Sequence, residues 1–240
     1  MVTQYRSFYP RILPIILLFV VSFCAVFAVA QEVQLETKEI PEVDMELGAE
    51  INETCAGCHG EYAEGGKDGE YPRLAGLPAE YMRKQIHLFK TSKRLNIPMK
   101  PYANDRELPE EHVYSVTAYI EAIQLKNIMP EFEEGLSAYD KLVIAKQVIN
   151  IAKVEGDIQV GENLYNKDCK ICHGKDGKGK TNSETPRLTG QYTKYLLKQI
   201  KAYKRKERHH DYDPDDDTFA NYTDQKIQNL LAYLSVADDQ

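Results

Sequence analysis

One offset organises this sequence. Cys169 follows Cys55 by 114 residues, and the same shift aligns the two stretches without a gap from Cys55 through Tyr119. Gly60 meets Gly174, Gly65 meets Gly179, and Pro72-Arg73-Leu74 meets Pro186-Arg187-Leu188. Gly76 meets Gly190, Tyr81 meets Tyr195, Lys84-Gln85-Ile86 meets Lys198-Gln199-Ile200, Arg94 meets Arg208, and Ala118-Tyr119 meets Ala232-Tyr233. Two long copies mean a duplicated module rather than a solenoid, each copy long enough to build its own core. With 42% apolar and 28% charged residues in 240, the chain has the material for two cores and is not disordered throughout.

Within each copy the apolar period is helical. Residues 79–94 put Met82, Ile86 and Phe89 on one face, and the second copy puts Leu196, Ile200 and Tyr203 there. Residues 110–125 place Val113, Val116, Ala118, Ile120 and Ile123 on a helix opened by Pro109. Its counterpart runs from about Asp224 to Val236, with Thr223 as cap. Strand signals are nearly absent, and the Gly-rich, charged stretches before Pro72 and Pro186 read as loops. Between the copies, Ser137 with Asp140 resembles a capping box, and Leu142, Ala145, Ile149 and Ala152 form a helical stripe. We therefore expect a connecting helix packed on one or both modules.

The N-terminus carries Arg6 and Arg11, then an apolar run from Ile12 to Ala30 broken only by Pro14, Ser22 and Cys24, ending Ala28-Val29-Ala30. This pattern predicts a cleaved secretory signal over residues 1–30, with an uncleaved membrane anchor as the rival. Of five cysteines, Cys24 leaves with the leader. The other four form Cys55-Ala56-Gly57-Cys58-His59 and Cys169-Lys170-Ile171-Cys172-His173, each a C-x-x-C-H. Two thiols on one helical turn can each add to a vinyl group of one porphyrin, and the following His reaches the iron. Two covalently bound haem c groups, with His59 and His173 on iron, fit best. A thioredoxin-like pair lacks its βαβ setting, and a zinc site or structural disulfides remain chemically possible. The net charge of −7 argues against binding nucleic acid through its phosphates.

Early C-x-x-C-H-G, then P-R-L-x-G, a Tyr…K-Q-I helix with Arg at its end, and a last helix with Ala-Tyr resemble class I cytochromes c, in particular the two-domain cytochrome c4 type. The resemblance covers residues 46–125 and 158–236. It implies an all-α fold of two tandem class I cytochrome c domains, 31–126 and 157–240, joined by a helical connector, 127–156. It also implies that the carbonyls of Pro72 and Pro186 hold the proximal His rings. In that family a Met on the loop after the K-Q-I helix is the second axial ligand, which falls on Met99. Met82 lies within a helix and Met129 beyond the last one. In the second copy Asp213 occupies the Met99 position, and no Met follows Met129. His209 and His210 lie just before it, so haem 2 is read as His/His through His210 or His209, with an open iron as the alternative. His87 and His112 are read as surface or packing residues.

Thioether ligation raises a haem's potential relative to imidazole, so haem 2 would be the lower one and electrons would pass from it to haem 1. The acidic loop 211–217 would favour oxidised haem 2 and offer a face to a basic partner. The expected function is a periplasmic electron carrier between redox-protein donor and acceptor. It would bind no nucleic acid, would not be an enzyme, and would touch a membrane only through partner complexes or an uncleaved leader. Two alternatives stand beside it. An open haem 2 would make a small-molecule sensor or enzyme. A fixed electron-accepting subunit of a dehydrogenase, such as a sulfide-oxidising flavoprotein, would have a standing partner.

Overall fold

A computed structural model describes residues 40–66, 69–180, 183–210 and 215–237. The expected leader, with Cys24, lies outside the described residues, as does Asp213. The described residues hold eight α-helices and no named strand, only isolated bridges Gly66–Tyr71 and Lys126–Val148. No helix among them is long and apolar enough to cross a membrane.

The first half contains α1 (Met45–His59), α2 (Ala79–Lys90), a 3-10 turn (Ile97–Met99) and α3 (Glu110–Ala122). The second contains α5 (Ile158–Asp168), α6 (Lys170–His173), α7 (Thr193–Lys204) and α8 (Asp224–Leu234), with α4 (Ala138–Lys146) between the halves. Helix starts follow local chemistry. Asp44 accepts from the Glu46 and Leu47 amides at 2.9 and 3.0 Å, and Thr223 caps α8 through Lys226 N. Pro109 opens α3, and Ser137 with Asp140 forms a reciprocal capping box on α4.

Each half has its own core. Ala63, Ala75, Leu77, Tyr81, Met82, Val116 and Ile120 fill the first. Tyr165, Leu196, Ile200, Phe219, Tyr222, Ile227, Leu230, Leu231 and Leu234 fill the second. In both, the first helix crosses the last at a glycine. A Cβ on Gly48 would lie 2.5 Å from the Ser115 carbonyl oxygen, and one on Gly161 2.0 Å from that of Asn229. Ser115 and Asn229 also bind the amides of Asp44 and Asp157 at 3.1 and 3.0 Å.

These crossings expose a register change. α2 and α7 differ by 114, but Gly48 and Gly161 differ by one residue less. The extra residue of the second copy is absorbed where α5 ends: Cys169 breaks the helix at φ −119°, whereas α1 runs unbroken through Cys55.

The connector departs from expectation. α4 buries none of its residues, Leu142 is 54% exposed, and Ala152 is exposed too. Only Ile149 of the stripe is buried, and it lies beyond the end of the helix. The chain leaves α4 at Gln147, and Ile149 N donates to Lys126 O at 2.8 Å in a parallel bridge. Among the described residues one ion pair, Lys146 to Glu61 at 2.9 Å, ties α4 to the first half.

The halves meet through the repeated polar residues. Arg94 donates to Gln85 (2.5 Å) in its own half and to Tyr195 OH (3.1 Å) and Gln199 (3.0 Å) across the boundary. Arg208 mirrors it, donating to Gln199 (2.7 Å), Tyr81 OH (2.9 Å) and Gln85 (3.1 Å). Arg94 stacks on Phe89 and Arg208 on Tyr203, again equivalent positions. Beside this clamp, buried Arg73 and Gln191 exchange two backbone–amide hydrogen bonds of 3.0 and 2.9 Å. The face of α2 that reads as polar is therefore buried: Gln85 is 5% exposed, while Ile86 is only half-buried.

Candidate haem sites

Each C-x-x-C-H closes a helix against one loop. In the first half, Cys55, Cys58 and His59 sit in the last turns of α1, and Gly60 then turns the chain away at φ +84°. The loop folds back through Leu74 N and Ala75 N, which donate to Ala63 O at 2.8 and 3.0 Å. In the second half Leu188 N and Thr189 N do the same to Gly177 O. This return places the Pro72 carbonyl 3.0 Å from His59 Nδ1 and the Pro186 carbonyl 2.8 Å from His173 Nδ1.

A carbonyl can only accept, so Nδ1 of each ring must carry the proton. That fixes the tautomer with a bare Nε2, the form a metal needs. Both rings are buried, at 7% and 8% exposure. Burial lowers the pKa of His59, opposed in part by its bond to Pro72. Burial also raises the Cys55 thiol and pushes Cys169 up to about 12. None of the four cysteines makes a disulfide. Vicinal thiols on a helical turn plus an oriented, neutral imidazole are the donor set covalent haem requires.

Met99 is half-buried on its 3-10 turn. Its amide donates to Asn96 O at 3.1 Å, and its carbonyl accepts from Ala103 N at 2.9 Å. In the second half the two candidate histidines separate. His209 is exposed, whereas the His210 ring centroid lies 6.2 Å from that of His173, the planes inclined by 37°. Two imidazoles on one metal, each with a bond of about 2 Å, have centroids about 6 Å apart. His210 is boxed edge-on by Tyr203 (5.2 Å) and Phe219 (5.5 Å), which stack on each other at 5.6 Å, and its Nδ1 lies 3.6 Å from Asp216. Tyr203 and Phe219 were not singled out as site residues from sequence, because aromatics at helical spacing read as core. The Arg208 that clamps the halves stacks on the same Tyr203, so the inter-module contact and the His210 box share a wall. His87 is exposed and His112 half-buried.

A family model for cytochrome c matches residues 45–124 and again residues 158–237. The chain belongs to the cytochrome c family, as two tandem modules, and with one C-x-x-C-H in each it binds two haem c groups covalently. It is 33% identical over 157 residues to a thiosulfate dehydrogenase electron acceptor of Stutzerimonas stutzeri (strain A1501), covering 65% of this chain and 66% of that one. The chain thus spans just under two thirds of that relative's length. It is 27% identical over 167 residues to a cytochrome c4 of Azotobacter vinelandii, covering 66% of this chain and 71% of the relative. Reduced recombinant cytochrome c4 from Pseudomonas stutzeri shares the fold at a TM-score of 0.62 and 20% identity, over 81% of this chain and 98% of that one.

Proposed function

We propose that this protein is an exported, periplasmic dihaem electron carrier. Cys55 and Cys58, and Cys169 and Cys172, anchor the two groups, with His59 and Met99 on the first iron and His173 and His210 on the second. When bound, each haem supplies one-electron redox chemistry. The chain's own residues do the rest. Pro72 and Pro186 hold the proximal rings in one tautomer, Tyr203 and Phe219 hold His210, and the buried surroundings keep water from the ring nitrogens.

The observation that carries this reading is the 6.2 Å between the His173 and His210 rings. A metal held on both faces has no position left for a substrate, which favours electron transfer over an open-site sensor or enzyme. Spectroscopy of the ferric holoprotein tests it. Both haems should be low-spin, and His210→Ala, but not His209→Ala, should convert one haem to high-spin and let the reduced form bind carbon monoxide. An unchanged spectrum in His210→Ala would sink the assignment. A lower potential for haem 2 than for haem 1 is the companion expectation.

Similarity to a thiosulfate dehydrogenase electron acceptor supports a second, compatible reading, in which the donor is a sulfur-oxidising dehydrogenase. Reduction of the holoprotein by such an enzyme with thiosulfate, and none without it, is the test.

A further inference from the structure

The offset that aligns the two folds inverts the charge around their haem motifs. Glu61 and Glu64 of the first half correspond to Lys175 and Lys178 of the second; upstream of the motifs, where the register shifts by one residue, Glu53 meets the uncharged Asn166, with Lys167 next to it. Ala56 and Gly66 correspond to Lys170 and Lys180. The five lysines are exposed, and among the described residues no carboxylate pairs with Lys170, Lys175, Lys178 or Lys180. Lys167 lies 3.7 Å from Asp168, which is also engaged by Tyr222 OH at 2.7 Å. The other acid within the run, Asp176, turns its carboxylate to the Lys178 amide at 3.1 Å.

In the chain between these lysines stands Ile171, 82% exposed, next to exposed Cys172. An apolar centre inside a charged rim is the anatomy of a docking face. The first half has no such centre: Gly57 occupies the equivalent position, with no atom within 4 Å of where a Cβ would be. Its rim is acidic, and the connector's Lys146 is already bonded to Glu61. The acidic loop that suggested a face for a basic partner is partly satisfied from within, since Lys206 donates to Asp216 O and Asp217.

We propose that the Ile171–Cys172 face of the second half, with its rim of five lysines, is the docking surface for an acidic redox protein, and that the acidic face of the first half turns the same partner away. The inference rests on the electron-carrier reading and names the kind of partner. Opposite charges steer encounter and fix which surface is presented, and they do so less as salt rises.

The test uses the labelled ferric holoprotein and two probes. The redox-inert paramagnetic trianion hexacyanochromate(III) should broaden amides of 167–180 and spare those of 53–66. Oxidised flavodoxin, a small acidic redox protein, should shift the same amides, with an affinity that falls about tenfold or more between low and physiological salt. K170E/K175E/K178E should weaken flavodoxin binding at least about tenfold, while E53K should leave it unchanged or strengthen it. Broadening centred elsewhere, or an unchanged affinity in the triple variant, overturns the docking surface. Reversible one-electron voltammetry of the wild type tests the carrier reading separately. Its loss would overturn that reading, and its retention confines any failure to the docking face.

Discussion

Arg208→Met would show how far the two modules act as one body. The substitution keeps the aliphatic bulk and removes three hydrogen bonds, two of them across the boundary, to Tyr81 OH and Gln85. A hydrogen bond to a charged donor contributes roughly 1.5–3 kcal/mol. Gln85 keeps its 2.5 Å bond from Arg94 of its own half, so only Tyr81 is left without an arginine donor. The expected loss is therefore near the lower bound for two bonds, about 3 kcal/mol of module docking, or about a hundredfold in the closed-to-open equilibrium. Calorimetry of the holoprotein is the assay. One transition in the wild type should split into two in the variant. Arg94→Met/Arg208→Met should cost more than the sum of the single changes, by at least about 0.5 kcal/mol, because each Gln carbonyl then loses both donors at once. One unshifted transition in Arg208→Met, or strict additivity in the pair, would refute the clamp.

Gly161→Ala and Gly48→Ala should each destabilise by about 2 kcal/mol or more in urea titrations, since the new Cβ meets a carbonyl oxygen of the crossing helix. Gly57→Ala, with open space around it, should stay within about 0.5 kcal/mol of wild type. Met99→His should lower the potential of haem 1 toward that of haem 2 in spectroelectrochemistry; an unchanged potential would remove Met99 as an axial ligand.

Much of this architecture is legible in the chain. Pro109, Thr223 and the Ser137/Asp140 pair mark helix starts where the structure has them, because capping is local chemistry. The His–Pro carbonyl contacts follow from motif resemblance and recur in both halves. Long-range terms were less visible. Periodicity counts apolar residues, so it assigned α2 the Ile86 face and missed that Gln85 and Tyr81 are buried by a second copy that satisfies their hydrogen bonds. The same counting overstated the connector, where a capping box and a few polar links hold α4 without a core beneath Leu142. The one-residue shift before Cys169 escaped because it lies upstream of the ungapped match and emerges only where Gly48 and Gly161 meet their carbonyl partners. His209 and His210 part only in the fold, where His209 is exposed and His210 lies between Tyr203 and Phe219, a difference that sequence adjacency does not carry.

The clamp also bears on how the two modules could have come together. Tyr81 faces Arg208 while Tyr195 faces Arg94, so the boundary is isologous: each side presents the same patch to the other. A lone module with Tyr, Gln and Arg at these positions would carry a self-complementary surface, suited to a two-fold homodimer. Tethering two such modules turns bimolecular pairing into an intramolecular one at an effective concentration of about millimolar. Pairing then survives dilution that would part separate subunits. The tether needs reach rather than packing, which accords with an α4 that lies out in solvent.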